Sequence, residues 1–185
     1  MAYTKTVTYA VAAAGVHTLT LSDVDDLYVG DTLRISGVSN DFNGDHAIET
    51  IDTTNLKVTY TQGNQNHTGI TVTGQAIVLV KWCTEADIET WLGFEATSTF
   101  LDLCTEAANE YAFRKRQEAG YADRAALVPN PSVKEGTIMY GAYLFRDRGS
   151  SGDAYAGFDG MGQFERPISM ARVMQLLGTG RPQVG

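Results

Sequence analysis

Cysteine is scarce in this chain: Cys83 and Cys104 are the only two in 185 residues. Both sit beside apolar positions, which argues against a disulfide framework and reads as two buried thiols. They stand 21 positions apart with no histidines at zinc-finger spacing, so no structural zinc is expected. Histidine is nearly as rare. His17, His46 and His67 all fall near turns in the same half of the chain, and none belongs to a nucleophile motif, so no catalytic triad is expected. Long apolar runs are missing as well. No segment approaches the ~20 residues a membrane span needs, and MAYTKTVTYAVAAAG lacks the apolar centre of a signal peptide. A soluble protein made and assembled in a cell's cytoplasm, with no membrane partner, is the expectation.

Basic charge is also in short supply. Fourteen Lys and Arg face 22 Asp and Glu, a formal net charge of -8, which argues against a surface that grips nucleic acid throughout but leaves room for a small basic patch. The imbalance is uneven. Residues 1–80 hold three basic and eight acidic side chains, whereas residues 160–185 hold Arg166, Arg172 and Arg181 against Glu165 alone. The acidic cluster Asp23, Asp25 and Asp26 lacks the twelve-residue calcium loop with its closing glutamate and reads as a solvated turn. Neither GVSNDFNGDH, without a Walker lysine, nor GFDGMGQF, a GxxGxG outside any strand-to-helix turn, is a phosphate fingerprint. No catalytic residue, metal or cofactor is expected, and the chain does not read as an enzyme.

What is present divides into two periods. Over residues 1–80, KTVTYAV, VHTLTLS, TLRISGV, HAIETID, LKVTYT and GITVTGQAIVLV read as strands separated by turn formers. Threonine is frequent there because a β-branched polar residue suits the wet face of a sheet. Closely spaced strands without intervening helices predict a small antiparallel β barrel or sandwich. The alanine run in AVAAAG leaves the first boundary indistinct.

From residue 82 onward the period is helical. Thr84, with Asp87 three residues on, resembles a capping box with a shorter carboxylate before EADIETWLGF, whose apolar side is Ile88, Trp91 and Leu92, with Gly93 as the stop. A longer helix runs from about Ser98 to Ala119, with Phe100, Leu103, Cys104, Ala107, Ala108, Tyr111 and Ala112 at helical spacing and Gly120 as its C-cap. Asn130 and Pro131 open a third, whose apolar stripe is broad; Gly136 and Gly141 within it call for close packing to offset a propensity loss of roughly 1 kcal/mol each. The glycine-rich segment from residue 150 carries Tyr155, Phe158 and Phe164, aromatics suited to an interface with another subunit. Ser169 then caps a short helix with Val173, Met174 and Leu177 on its apolar side. Three turns are marginal alone, so this helix needs a surface to lie on. The fold class is α+β, organised as residues 1–80, 82–149 and 150–185.

Arg114, Lys115 and Arg116 end the long helix, where unpaired carbonyls favour cations. Glu110 and Glu118 lie four residues either side of Arg114, pairings worth about 0.2–0.5 kcal/mol, while Lys115 and Arg116 are expected to be freer. Glu85, Asp87 and Glu89 on the first helix are acidic counterparts through which one copy could meet the next.

The helical half, WCTEADIETWLG, FLDLCTEAANEYAFRKRQEAGY and NPSVKEGTIMYGAYLFRDRGSSGD followed by a loop and short helix, resembles the head-to-tail adaptor, or connector, proteins of long-tailed bacteriophages. The resemblance covers residues 82–177, and Tyr143, Leu144, Phe145, Arg146 and Arg148 match the close of that family's central helix. VGDTLRISGVSNDFNGDHAIETIDTTNLKVTYT looks like the Thr-rich β modules of phage structural proteins and reads as an added domain. The resemblance implies a helical adaptor body and a non-enzymatic homo-oligomer in the virion, a ring of about twelve copies built on heterologous contacts. Its partners would be the portal protein and a downstream neck or tail-completion protein, with packaged DNA passing through the channel without sequence recognition. Arg114, Lys115, Arg116, Tyr155, Phe158 and Phe164 are then candidates for subunit contact, and Arg166, Arg172, Val173, Met174, Leu177 and Arg181 for docking on the portal. The alternative of another class is a non-enzymatic β-domain binding or adhesion module with a helical anchor, using turns around residues 40–45 and 63–67.

Overall fold

The computed structural model describes residues 4–93, 99–149 and 169–180. Two compact units divide the chain, Met1–Leu79 and Val80–Gly185. The first contains seven strands, β1 (Thr4–Ala13), β2 (Val16–Leu21), β3 (Thr32–Ser36), β4 (Gly44–Ala47), β5 (Thr50–Asp52), β6 (Lys57–Thr61) and β7 (His67–Leu79). They form one sheet in the order β4-β3-β7-β1-β2-β6-β5, with every pairing antiparallel.

Alternation sets the inside of that sheet. In β2, His17, Leu19 and Leu21 are buried while Val16, Thr18 and Thr20 are not, the period of two that strand geometry imposes. The alanine run resolves at Ala14 and Gly15, whose φ values of 51° and 79° make a two-residue hairpin turn between β1 and β2. Gly15 is required there: a Cβ would stand 2.2 Å from the Gly63 carbonyl oxygen.

HAIETID, read as a single strand, is two. β4 and β5 lie at opposite edges of the sheet although only Ile48 and Glu49 separate them. Such a short link spans opposite edges only if the sheet curls back on itself. The Ile48 amide donates to the Asp31 carbonyl at 2.9 Å and the Glu49 amide to that of Thr59 at 2.8 Å, tying the seam to both sides. Val7, Leu19, Leu33, Ile35, Phe42, Val58 and Ala76 fill the interior. Among the described residues, the expected barrel or sandwich is thus one curled antiparallel sheet.

The second unit is a four-helix bundle: α1 (Glu85–Leu92), α2 (Thr99–Glu118), α3 (Pro131–Gly149) and α4 (Met170–Leu176). The chain is therefore α+β. Thr84 and Asp87 complete the capping box reciprocally, and Gly93 closes α1 at φ 78°. Asn130 caps α3 by accepting from the Val133 amide at 3.0 Å. Ser169 stands at the N-cap of α4 without a side-chain hydrogen bond, so its expected capping role is not realised.

Cys83, Ile88, Leu92, Leu101 and Ala142 form a core cluster, with Ile138 and Phe145 packed against it. The glycines of α3 mark close approaches. A Cβ on Gly141 would lie 2.4 Å from Ile88 Cδ1, and one on Gly136 would lie 3.0 Å from Leu176 Cβ. Asn109 binds α2 to the segment before α1, accepting from the Trp82 and Cys83 amides at 3.0 and 2.8 Å and donating to the Cys83 carbonyl at 2.9 Å. All three bonds are buried, where leaving a polar group unsatisfied costs about 1–3 kcal/mol.

Candidate functional site

The basic triplet at the end of α2 divides by helical phase. Arg114 is exposed and sits 3.9 Å from Glu118. Lys115, half-buried, donates to Glu118 at 2.6 Å and holds its carboxyl below the usual range; the ammonium also lies 6.0 Å from the Tyr111 ring centre. Arg116 turns inward. Its guanidinium bonds Asp123 at 2.5 and 3.1 Å and the Leu177 carbonyl at 2.7 Å, and stacks 3.8 Å from the Tyr121 ring. The expectation that Lys115 and Arg116 are freer than Arg114 is corrected: Lys115 lies closer to Glu118 than Arg114 does, and Arg116 is buried and paired within its own unit. Gly120, at φ 85°, reverses the chain and brings Asp123 back to it.

The acidic candidates divide similarly. Glu85 is exposed and Glu89 half-buried. Asp87 caps α1 and pairs with Lys134 of α3 at 2.9 Å. Burial opposes its ionisation, but Lys134 and the Thr84 bonds outweigh that and keep its pKa below 3.8.

The docking candidates on α4 need the same correction. Val173 and Leu177 are fully buried, Met174 is half-buried with its sulfur 3.5 Å from the Tyr111 hydroxyl, and Arg172 is exposed. The surface that this short helix requires is supplied by α2 and α3 of the same unit. Tyr155, Phe158, Phe164, Arg166 and Arg181 lie outside the described residues.

Leu103 and Trp91, which the sequence places on apolar helix sides, are exposed at 61% and 42%, and Leu127, which sequence reasoning passed over, at 57%. Helical spacing assigned Leu103 to the buried stripe, yet Leu101, one residue from the expected phase, is the buried one. Next to the basic pair, Tyr111 stacks on Tyr140 at 4.1 Å and Tyr140 on Tyr143 at 6.2 Å, all three half-buried. The outer side of α2 thus runs from Asp102 and Leu103 through Ala107 and Glu110 to Arg114 and its partner Glu118, acidic and apolar first and mixed in charge last.

In the β unit the chain's three histidines converge on two aromatic rings. His17 contacts Phe42 at 4.9 Å and Tyr60 at 5.0 Å, His46 stacks on Tyr60 at 4.2 Å, and His67 meets Phe42 at 5.7 Å. Among the described residues no group of three or more metal-ligating side chains is assembled. Neither cysteine forms a disulfide, and burial pushes the Cys83 thiol up to about 12.

No family model matches the chain, and no curated protein sequence matches it. Among solved structures, a Phage phi92 endosialidase is similar at 19% identity and a TM-score of 0.35, over 42% of this chain and 13% of that one. A likeness of that size carries no argument about fold or activity.

Proposed function

We propose that this chain is a structural head-to-tail adaptor of a long-tailed phage, a ring-forming subunit that joins the portal of a DNA-filled head to the neck or tail. The observation that carries the reading is the outer face of α2, where an apolar Leu103 at 61% exposure sits among acidic side chains while Arg114 and Lys115 stand at the far end. Over the 20 residues of this helix Asp102 and Glu110 precede Arg114 and Lys115, two cations that share the single acid Glu118, and such unlike patches are what a heterologous contact joins. Leu103 supplies apolar area that charge alone lacks. The order of short, long, central and short terminal helices supports the same reading through the family resemblance.

Within this reading Arg114 and Lys115 of one copy face Glu85, Glu89, Asp102 or Glu110 of the next, and Arg116 takes no part. Portal docking rests on Arg172 with Arg166 and Arg181. The virion's head-to-tail interface is the corresponding location.

The test adds purified chain to DNA-filled heads that lack neck proteins and scores binding, DNA retention and ring formation by electron microscopy. Leu103→Asp and the pair Arg114→Glu with Lys115→Glu are expected to abolish ring formation while leaving circular dichroism unchanged. Heads that neither bind the wild-type chain nor retain more DNA with it would overturn the proposal.

A further inference from the structure

The histidine cluster of the β unit has a property that adaptor function does not use. His17 is fully buried on β2, and its Nε2 lies 3.2 Å from the Gln62 carbonyl oxygen. A carbonyl only accepts, so the ring proton sits on Nε2 and Nδ1 is a bare lone pair. That nitrogen is buried without a hydrogen-bond partner, and so is Nε2 of His46 on β4. His46 Nε2 packs against the backbone at Gly44, so closely that a Cβ there would stand 3.2 Å from it. Both imidazoles stack on the same phenol, Tyr60 of β6, whose hydroxyl donates to the Phe42 carbonyl at 3.2 Å.

We propose that the His17–Tyr60–His46 stack is a proton-sensitive latch on the seam of the curled sheet, and that protonating His46 releases residues 39–48 and exposes Phe42. His46 is half-buried, but its Nε2 is shut off from solvent and has no hydrogen-bond partner, so a proton placed there in the closed state would find no acceptor and burial opposes the charge. The surrounding charged groups do not supply that acceptor. Asp45, beside His46, is held by Arg34 of β3 at 2.9 and 3.0 Å, and Asp41 pairs with His67 of β7 at 2.9 Å. Tyr60 is neutral, and burial pushes its phenol further up. Desolvation, the largest influence on His46, moves it below 6.5 in the closed state, ahead of the opposing carbonyls of Asn43 and Phe42.

The sign follows from linkage. A histidine whose pKa is lower when closed than when open binds more protons in the open state, so closure is strongest above 6.5 and weakens as pH falls below it. The place of release follows from topology. β4 has four residues, lies at a sheet edge and, among the described residues, pairs only with β3, so it can detach without breaking the central ladder. Phe42, buried between His17 and His67, leaves with it.

Amide exchange of the full chain at pH 7.5 and 5.5, corrected for intrinsic rates, tests this directly. Residues 39–48 are expected to open more at the lower pH by on the order of tenfold, with β1, β2 and β7 unchanged. His46→Phe keeps a ring on Tyr60 and cannot be protonated there, so it should lose most of the increase; His67→Gln should keep it. Equal exchange at both pH values, or a full increase in a folded His46→Phe chain, overturns the latch. Should that variant not fold, the histidine Cε1 proton resonances of the wild-type chain decide: His46 protonation and the amide shifts of residues 39–48 must share one midpoint, and separate midpoints overturn it.

Discussion

Arg116 shows how much one side chain's direction changes its meaning. Its neighbours Arg114 and Lys115 share its charge and its position near the C-terminus of α2, yet Arg116 alone is buried, with Asp123 and the Leu177 carbonyl as partners. Removing one member of a buried pair leaves the other uncompensated, which costs about 3–5 kcal/mol. Arg116→Ala is expected to lose stability in that range by denaturant titration, with Asp123→Ala recovering part of the loss when combined with it. A loss of about 0.5 kcal/mol, the size of an ordinary surface substitution, would remove Arg116 from the core. Gly141 makes the complementary case. Alanine there would gain helix propensity of about 1 kcal/mol, but its Cβ would press on the fully buried Ile88, and overpacking costs about 1–3 kcal/mol. Gly141→Ala should therefore destabilise, and Ile88→Val in the same chain should relieve it.

At the scale of elements, α4 changes role between sequence and structure. Its apolar side reads from sequence as a stripe awaiting a partner ring, but Val173 and Leu177 are already buried and α3 meets Leu176 and Leu177 at Gly136. Ending the chain before Ser169 should therefore lower the unfolding midpoint and reduce helical ellipticity beyond the seven residues of α4 itself. Leu177→Ala alone should cost about 2–5 kcal/mol. A truncated chain with wild-type stability would show that α4 contributes nothing to the bundle. The thiols report on the same packing: Cys83 and Cys104 should resist alkylation at pH 8 and react as denaturant opens the helices, because burial holds the Cys83 thiol well above that pH.

For the whole molecule, acid acts through two sets of groups in separate windows. Asp23 through its bond to Lys5, Asp52 through Asn55, Asp87 through Lys134 against its own burial, and Glu118 through Lys115 are each held below their ordinary values. Groups depressed in this way contribute stability that is complete above the ordinary values of 3.8 and 4.5 and lost as pH falls through their folded-state values. Stability should decline from about pH 4.5 downward, and Asp87→Asn should flatten part of that decline in denaturation midpoints measured against pH. Exchange at residues 39–48 should respond earlier, below the histidine value of 6.5.

The sequence by itself determined the change of period, the four helices and most of their ends, because these depend on contacts within a few residues: the Thr84–Asp87 box, Asn130 before Pro131, and glycines at Gly93 and Gly120. The need for close packing at Gly136 and Gly141 was also legible, since glycine within a helix requires compensation. Tertiary structure alone decided that HAIETID is two strands at opposite sheet edges, because the curl comes from the pairing of all seven strands. It alone joined Arg116 to Asp123, which helical spacing does not pair, and gathered His17, His46 and His67 from β2, β4 and β7 around Phe42 and Tyr60. Local rules decide where an element begins and ends; which of its faces is covered depends on what the rest of the chain brings to it.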